Sequence, residues 1–282
     1  MEPFGARLHA AMAARGPMCV GIDPHASLLA QWGLPDTAAG VERFSRTVVE
    51  ALAGEVAAMK PQSAFFERHG SAGVAVLERV IAEARAAGAL VITDVKRGDI
   101  GSTAAGYAEA YLDPSSPLAS DALTASPFLG MGALAPMFEA ARKHGAGVFV
   151  LALTSNPDGA QVQRARCADG RTVAQHVLDE LASLNAGATP LGSFGAVVGA
   201  TLGETGHNLS NVHGPFLAPG IGAQGGSATD LRTVFGKKVS DVLPAMSRSI
   251  LIKGPDHTAL QNAAREQLQA VRGIVDSPIQ DA

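Results

Sequence analysis

The chain has 282 residues, 47% of them hydrophobic and 17% charged, a balance that excludes a disordered or collagen-like polymer and calls for a large buried core. Lys and Arg number 22 against 26 Asp and Glu, a formal charge of −4, and aromatic residues make up 5%. A global basic field and a base-stacking surface for nucleic acid are thereby excluded, although a local anion pocket is not.

In chain order, a helix is predicted over 4–15, then a strand over 18–23, a helix over 41–53, a strand over 57–61 and a helix over 72–87. A strand at 90–96 and a helix at 103–111 follow, then strand 122–126, helix 132–144, strand 147–154 and helix 172–184. Strands at 195–201 and 216–219, helix 228–235, strand 241–247 and helix 257–271 complete the chain. Several strands are near-continuous apolar runs, the pattern of parallel strands covered on both faces. The segment after the sixth strand, around 204–212, carries Gly and Asn that argue poorly for a helix. Eight strands alternating with helices predict a (β/α)8 barrel, a TIM barrel. A doubly wound dinucleotide fold would want a G-x-G-x-x-G after its first strand, and none is present. No polar linker splits the chain, so 1–282 is expected to be one domain, with the helix at 4–15 closing the bottom of the barrel.

The N-terminal stretch is broken by Glu2, Arg7, His9 and Arg15 and lacks a signal-peptide core. The purest apolar run, 145–153, is about half of a membrane span. Cys19 and Cys167 form neither a metal-spaced cluster nor a disulfide framework. A cytoplasmic protein without membrane or nucleic-acid partners is expected.

In such barrels the chemistry sits where strands end and loops begin. The first strand ends in Gly21-Ile22-Asp23-Pro24-His25, where Asp23 serves equally well as a loop cap. The second ends in Lys60-Pro61-Gln62, and an ammonium following an apolar strand requires a carboxylate partner. The third runs into Asp94-Val95-Lys96-Arg97-Gly98-Asp99. Strand alternation puts Asp94 and Lys96 on one face at the barrel mouth. Flanked by carboxylates, Lys96 is expected to stay protonated, as an electrostatic stabiliser and proton donor rather than a Schiff-base nucleophile. The fifth strand ends in Thr154-Ser155-Asn156-Pro157, suited to hydrogen-bonding a polar ring but also common as a turn. The glycine-rich loop 219–226, followed by Arg248 after the eighth strand, has the elements of a phosphate site. No residue cluster implies a metal or an organic cofactor, and the eight dispersed histidines carry no assigned role.

Taken together, Gly-Ile-Asp at 21–23, Lys-Pro-Gln at 60–62, Asp-Val-Lys-Arg-Gly-Asp-Ile-Gly-x-Thr at 94–103, Thr-Ser-Asn-Pro at 154–157 and Pro-Gly-Ile-Gly-Ala-Gln-Gly-Gly at 219–226 resemble the orotidine 5′-phosphate decarboxylase family, in its longer bacterial subgroup. The resemblance implies decarboxylation of orotidine 5′-phosphate to UMP in pyrimidine biosynthesis, without a cofactor, by a homodimer with shared active sites. It implies that Lys96 protonates the carbon losing CO2, that Asp94 sits against the departing carboxylate, and that Lys60 completes a charge network on the ribose side. Asp23 would bind ribose hydroxyls, Ser155 would read the pyrimidine, and Gln224 and Arg248 would hold the phosphate. Asp99, Ile100 and Thr103 would reach into the neighbouring subunit's site. This chain has Ser247 before Arg248, where much of the family has glycine, and 113–120, 161–171 and 204–214 look like insertions. A Mg²⁺-dependent decarboxylase of a sugar-acid phosphate would want an acidic metal ligand at position 60, and a Schiff-base aldolase would want a lysine of lowered pKa. A phosphate-binding barrel without catalysis would not need Asp94, Lys96 and Asp99 together.

Overall fold

The eight strands occur where the apolar runs place them, and they close into a parallel barrel in sequence order. The structure is a computed structural model that describes residues 1–222 and 225–275. The strands are β1 (Cys19–Ile22), β2 (Ala58–Pro61), β3 (Leu90–Arg97), β4 (Ala122–Ala125), β5 (Gly147–Leu153), β6 (Phe194–Val198), β7 (Phe216–Pro219) and β8 (Val242–Met246). β8 pairs back onto β1 through Cys19–Ala245 and Val20–Met246, so the sheet has no open edge. The fold is the (β/α)8 barrel expected.

Alternation along the strands sorts the apolar side chains into two layers. Leu90 and Ile92 of β3 point into the barrel with Cys19, Ala58, Phe149, Leu217 and Leu243, whereas Val91 and Val95 pack outward against the helices. The helix Phe4–Arg15 lies across the barrel's N-terminal end and inserts Phe4 into the inner layer. The Phe4 ring meets Phe149 edge-on at 5.9 Å, and a Cβ at position 147 would collide with it, which accounts for Gly147.

Asp121, 4% exposed, ties this helix to the sheet. Its carboxylate accepts from Arg7 Nη1 at 2.6 Å and from the Val91 N–H at 2.9 Å, and Arg85 Nε lies 3.4 Å away. Asp121→Ala takes the carboxylate from a half-buried guanidinium, which keeps only the Gly145 carbonyl, and strands the buried Val91 N–H, so a loss of about 3 kcal/mol is expected. At this chain length that lowers Tm by roughly 6–10 °C, with activity per folded molecule unchanged. A melting shift below about 2 °C would show the ion pair to be marginal.

The helices differ from expectation mainly at their starts. The predicted helix at 41–53 begins earlier, as Ala38–Leu52, because the Thr37 hydroxyl caps the Gly40 N–H. The predicted 132–144 helix opens as a 3₁₀ turn, Met131–Leu134, before Ala135–His144. The sixth strand stops at Val198 rather than 201, and residues 199–215 are turns and irregular backbone with no helix. Short helices at Ala26–Gln31, Ala64–Glu67, Ala160–Gln163 and Arg248–Leu251 fall below the length at which periodicity is readable. Among the described residues no helix is long and apolar enough to cross a membrane.

Candidate active site

The C-terminal ends of the strands surround a cavity of about 670 Å³. Asp94 is the hub of its charge network. Its Oδ1 accepts from Lys96 Nζ at 2.6 Å and from Thr124 Oγ1 at 2.8 Å, and its Oδ2 accepts from Lys60 Nζ at 3.1 Å. Lys60 Nζ also donates to Gln62 Oε1 at 3.4 Å and lies 4.0 Å from Asp23 Oδ1. Asp23, Lys60, Asp94 and Lys96 thus alternate in sign across the ends of β1, β2 and β3.

Burial makes this alternation obligatory. Burial alone would neutralise Asp94, but Lys60, Lys96 and the Thr124 hydroxyl outweigh it and hold its pKa down at about 2. Burial likewise disfavours the Lys60 ammonium, and Asp94 and Asp23 more than reverse it, so its pKa lies above the ordinary lysine value. Burial pushes the neighbouring Cys19 thiol up to about 12, which leaves it an inert core side chain rather than a nucleophile.

Lys96 differs from its partners. Its side chain is 45% exposed, so the ammonium stays within reach of a ligand while Asp94 orients it. Simple pleating does not deliver it there. The β3–β4 register shifts between Thr93 and Arg97, and Lys96 adopts φ 45°, with its N–H donating to Thr124 Oγ1 at 2.9 Å. A left-handed lysine is strained backbone retained at a site. Thr124, whose hydroxyl holds both the Lys96 main chain and Asp94, was not legible in the sequence.

Ser155 lies on the rim with Thr154 and Asn156, and Arg248 lies in the wall with Pro219, Gly220 and Ile221. Gly21 lets β1 and β8 approach here, since a Cβ would stand 2.9 Å from Ser247 Cβ and 3.0 Å from Asp23 Oδ2. Gln224 falls outside the described residues. Asp99, Ile100 and Thr103 do not line this chain's own cavity. They sit at the start of the helix Gly101–Leu112, where Asp99 Oδ1 accepts from the Ile100 N–H at 2.8 Å and the Ile100 side chain faces outward.

The cavity also contains His25, Gln62, Phe65 and Ser247, to which the sequence reading gave no role. His25 packs edge-on against Phe65 at 4.2 Å, and burial keeps its pKa below the usual value against the pull of Asp23. Ser247 Oγ, Ser249 Oγ and Asp23 Oδ1 are buried and have no hydrogen-bond partner among the described residues. The position of Gln62 and Ser247 directly after strand ends was the available signal.

The chain is similar to known proteins over nearly its whole length. Residues 16–263 match the Orotidine 5′-phosphate decarboxylase / HUMPS family. An orotidine 5′-phosphate decarboxylase of Salinispora arenicola is 67% identical over 98% of this chain and 99% of its own length. One from Streptomyces coelicolor is 64% identical over the same shares. A crystal structure from Streptomyces avermitilis has TM-score 0.96 at 63% identity, covering 98% of this chain and 97% of that one. The Leishmania donovani OMP decarboxylase has TM-score 0.76 at 30% identity, covering 98% and 100%. The matched segment contains all eight strands and the whole charge network at their ends, and the chain belongs to the orotidine 5′-phosphate decarboxylase family.

Proposed function

We propose that the chain converts orotidine 5′-phosphate to UMP and CO2 in de novo pyrimidine biosynthesis, with Lys96 as the proton donor. The observation that carries this reading is the buried Lys60–Asp94 pair with Lys96 held on the same carboxylate. Loss of CO2 from a pyrimidine without an electron sink leaves a localised carbanion, and the barrier to be removed is on the order of 20 kcal/mol. A cation already fixed where that charge develops stabilises it without reorganisation and then supplies the proton.

The remaining roles are those that the family resemblance implies. Asp94, ionised, faces the departing carboxylate, while Asp23 and Lys60 meet the ribose. Ser155 reads the pyrimidine, and Arg248 with Gln224 holds the phosphate, whose binding energy organises the distant reacting centre. Asp99, Ile100 and Thr103 act in the site of a second copy of the chain. That reading is supported by the outward-facing apolar side chains Ile100, Phe128 and Leu129, which are 63%, 75% and 53% exposed. We read 1–282 as one barrel unit working in the cytoplasm, in keeping with two unpaired cysteines.

A Mg²⁺-assisted decarboxylase of a sugar-acid phosphate is disfavoured by Lys60, a cation where that chemistry wants an acidic ligand. The deciding experiment incubates the purified chain with orotidine 5′-phosphate in the presence of EDTA and follows substrate absorbance and UMP. Chelator-insensitive formation of UMP is expected. No UMP, or turnover abolished by the chelator, overturns the proposal.

A further inference from the structure

We infer that Gln163 is a positioning residue that sets the orientation of the substrate-reading loop 154–156, and that the extra segments around 161–171 and 204–214 serve to hold Gln163 in place. The inference rests on the reading of Ser155 proposed above.

β5 ends at Leu153, whose carbonyl accepts from the Gly199 N–H at 2.9 Å. The next N–H, that of Thr154, lies beyond the ladder. Gln163 Oε1 accepts it at 2.9 Å, and Gln163 Nε2 donates to Thr154 Oγ1 at 2.7 Å. Thr154 Oγ1 in turn donates to Asn156 Oδ1 at 2.6 Å. One side-chain amide therefore holds both the backbone and the hydroxyl of Thr154, and through that hydroxyl the residue on the far side of Ser155. The knot is tight, since a Cβ on Gly159 would lie 2.8 Å from Thr154 Oγ1 and 3.0 Å from Gln163 Nε2. Thr154, Ser155 and Asn156 line the cavity, whereas Gln163 does not, so it acts on the ligand only through them.

Gln163 belongs to the helix Ala160–Gln163, too short to be stable alone, and its support comes from outside. Arg164 Nη1 donates to the Thr205 carbonyl at 3.3 Å, and the Val173 N–H donates to the Ala165 carbonyl at 2.9 Å. His207 places Nδ1 2.7 Å from the Thr205 carbonyl, which assigns the ring proton there and leaves Nε2 to accept from Thr172 Oγ1 at 2.8 Å. Asn208 N–H donates to Gln175 Oε1 at 2.9 Å. The loops after β5 and β6 are thus joined to each other and to the helix Val173–Leu184, which buries Ala174, Val177, Leu178 and Leu181. Two insertions make one brace, with Gln163 at its tip.

The test is steady-state inhibition of the full chain by UMP and by ribose 5-phosphate, which lacks the base. Gln163→Ala leaves the Thr154 N–H without its acceptor and removes one of the two bonds that fix the Thr154 hydroxyl. It is expected to raise KM and the inhibition constant of UMP roughly tenfold, with the ribose 5-phosphate constant and kcat little changed. Gln163→Glu keeps the acceptor for the Thr154 N–H but loses the donor, and is expected to fall between Ala and wild type. An unchanged UMP constant in Gln163→Ala overturns the inference. So does an equal rise for both ligands, which signals general loosening of the barrel. Ser155→Ala is the control for the underlying reading. If that variant binds UMP normally while Gln163→Ala does not, the brace stands and the assignment of Ser155 falls.

Discussion

Lys96→Ala is expected to lower kcat by about a thousandfold or more while UMP still binds within roughly tenfold of wild type. The substitution removes a proton donor and a fixed charge at once, and each is worth on the order of a hundredfold to a thousandfold in rate. The fold should tolerate it. The Lys96 side chain is 45% exposed, and Asp94 retains its bonds from Lys60 and Thr124. Alanine also keeps the backbone that Thr124 Oγ1 fixes through the Lys96 N–H. Steady-state turnover paired with calorimetric UMP binding makes the measurement. Turnover within tenfold of wild type would remove Lys96 from the mechanism.

Asp94→Ala should abolish turnover and cost stability as well, which distinguishes it from the lysine variant. Lys60 is 7% exposed, and without Asp94 it keeps only Asp23, 4.0 Å away, and the Gln62 amide oxygen as partners, a loss of about 3 kcal/mol. The pH dependence has a definite sign. The Asp94 pKa is lowered from 3.8 to about 2, so its ionised form contributes stability above pH 4 that disappears as pH falls towards 2, worth about 2 kcal/mol. The difference in denaturant stability between wild type and Asp94→Ala should stay constant from about pH 5 to 8 and shrink below pH 4. A difference under about 1 kcal/mol at pH 7 would show that the carboxylate is dispensable to the fold.

Both predictions depend on a network of which half was visible in the chain itself. Asp94 and Lys96 are two residues apart on one strand, so strand period suggests a shared face, although the register shift and the left-handed Lys96 backbone make the actual contact. Lys60 directly after an apolar run calls for a carboxylate, yet which carboxylate is not a local property. Its partner is 34 residues away. Thr124 carries no sequence mark at all, because a threonine at the end of a β-rich run is ordinary until β4 is set beside the shifted register of β3. Asp99, Ile100 and Thr103 were readable as a motif, but they do not line their own chain's cavity.

The eight strands, their parallel order and the polar residues at their ends are legible in one dimension, because burial on both faces imposes continuous apolar runs and the chemistry begins where those runs stop. What required the closed barrel is the set of partners. The left-handed turn at Lys96, the sharing of the Asp94 carboxylate with Lys60 and Thr124 and the hold of Gln163 on Thr154 arise between segments brought together only on closure. Periodicity reports which face of an element is buried. It does not report what that face will touch, since contact is set by register and loop packing over tens of residues.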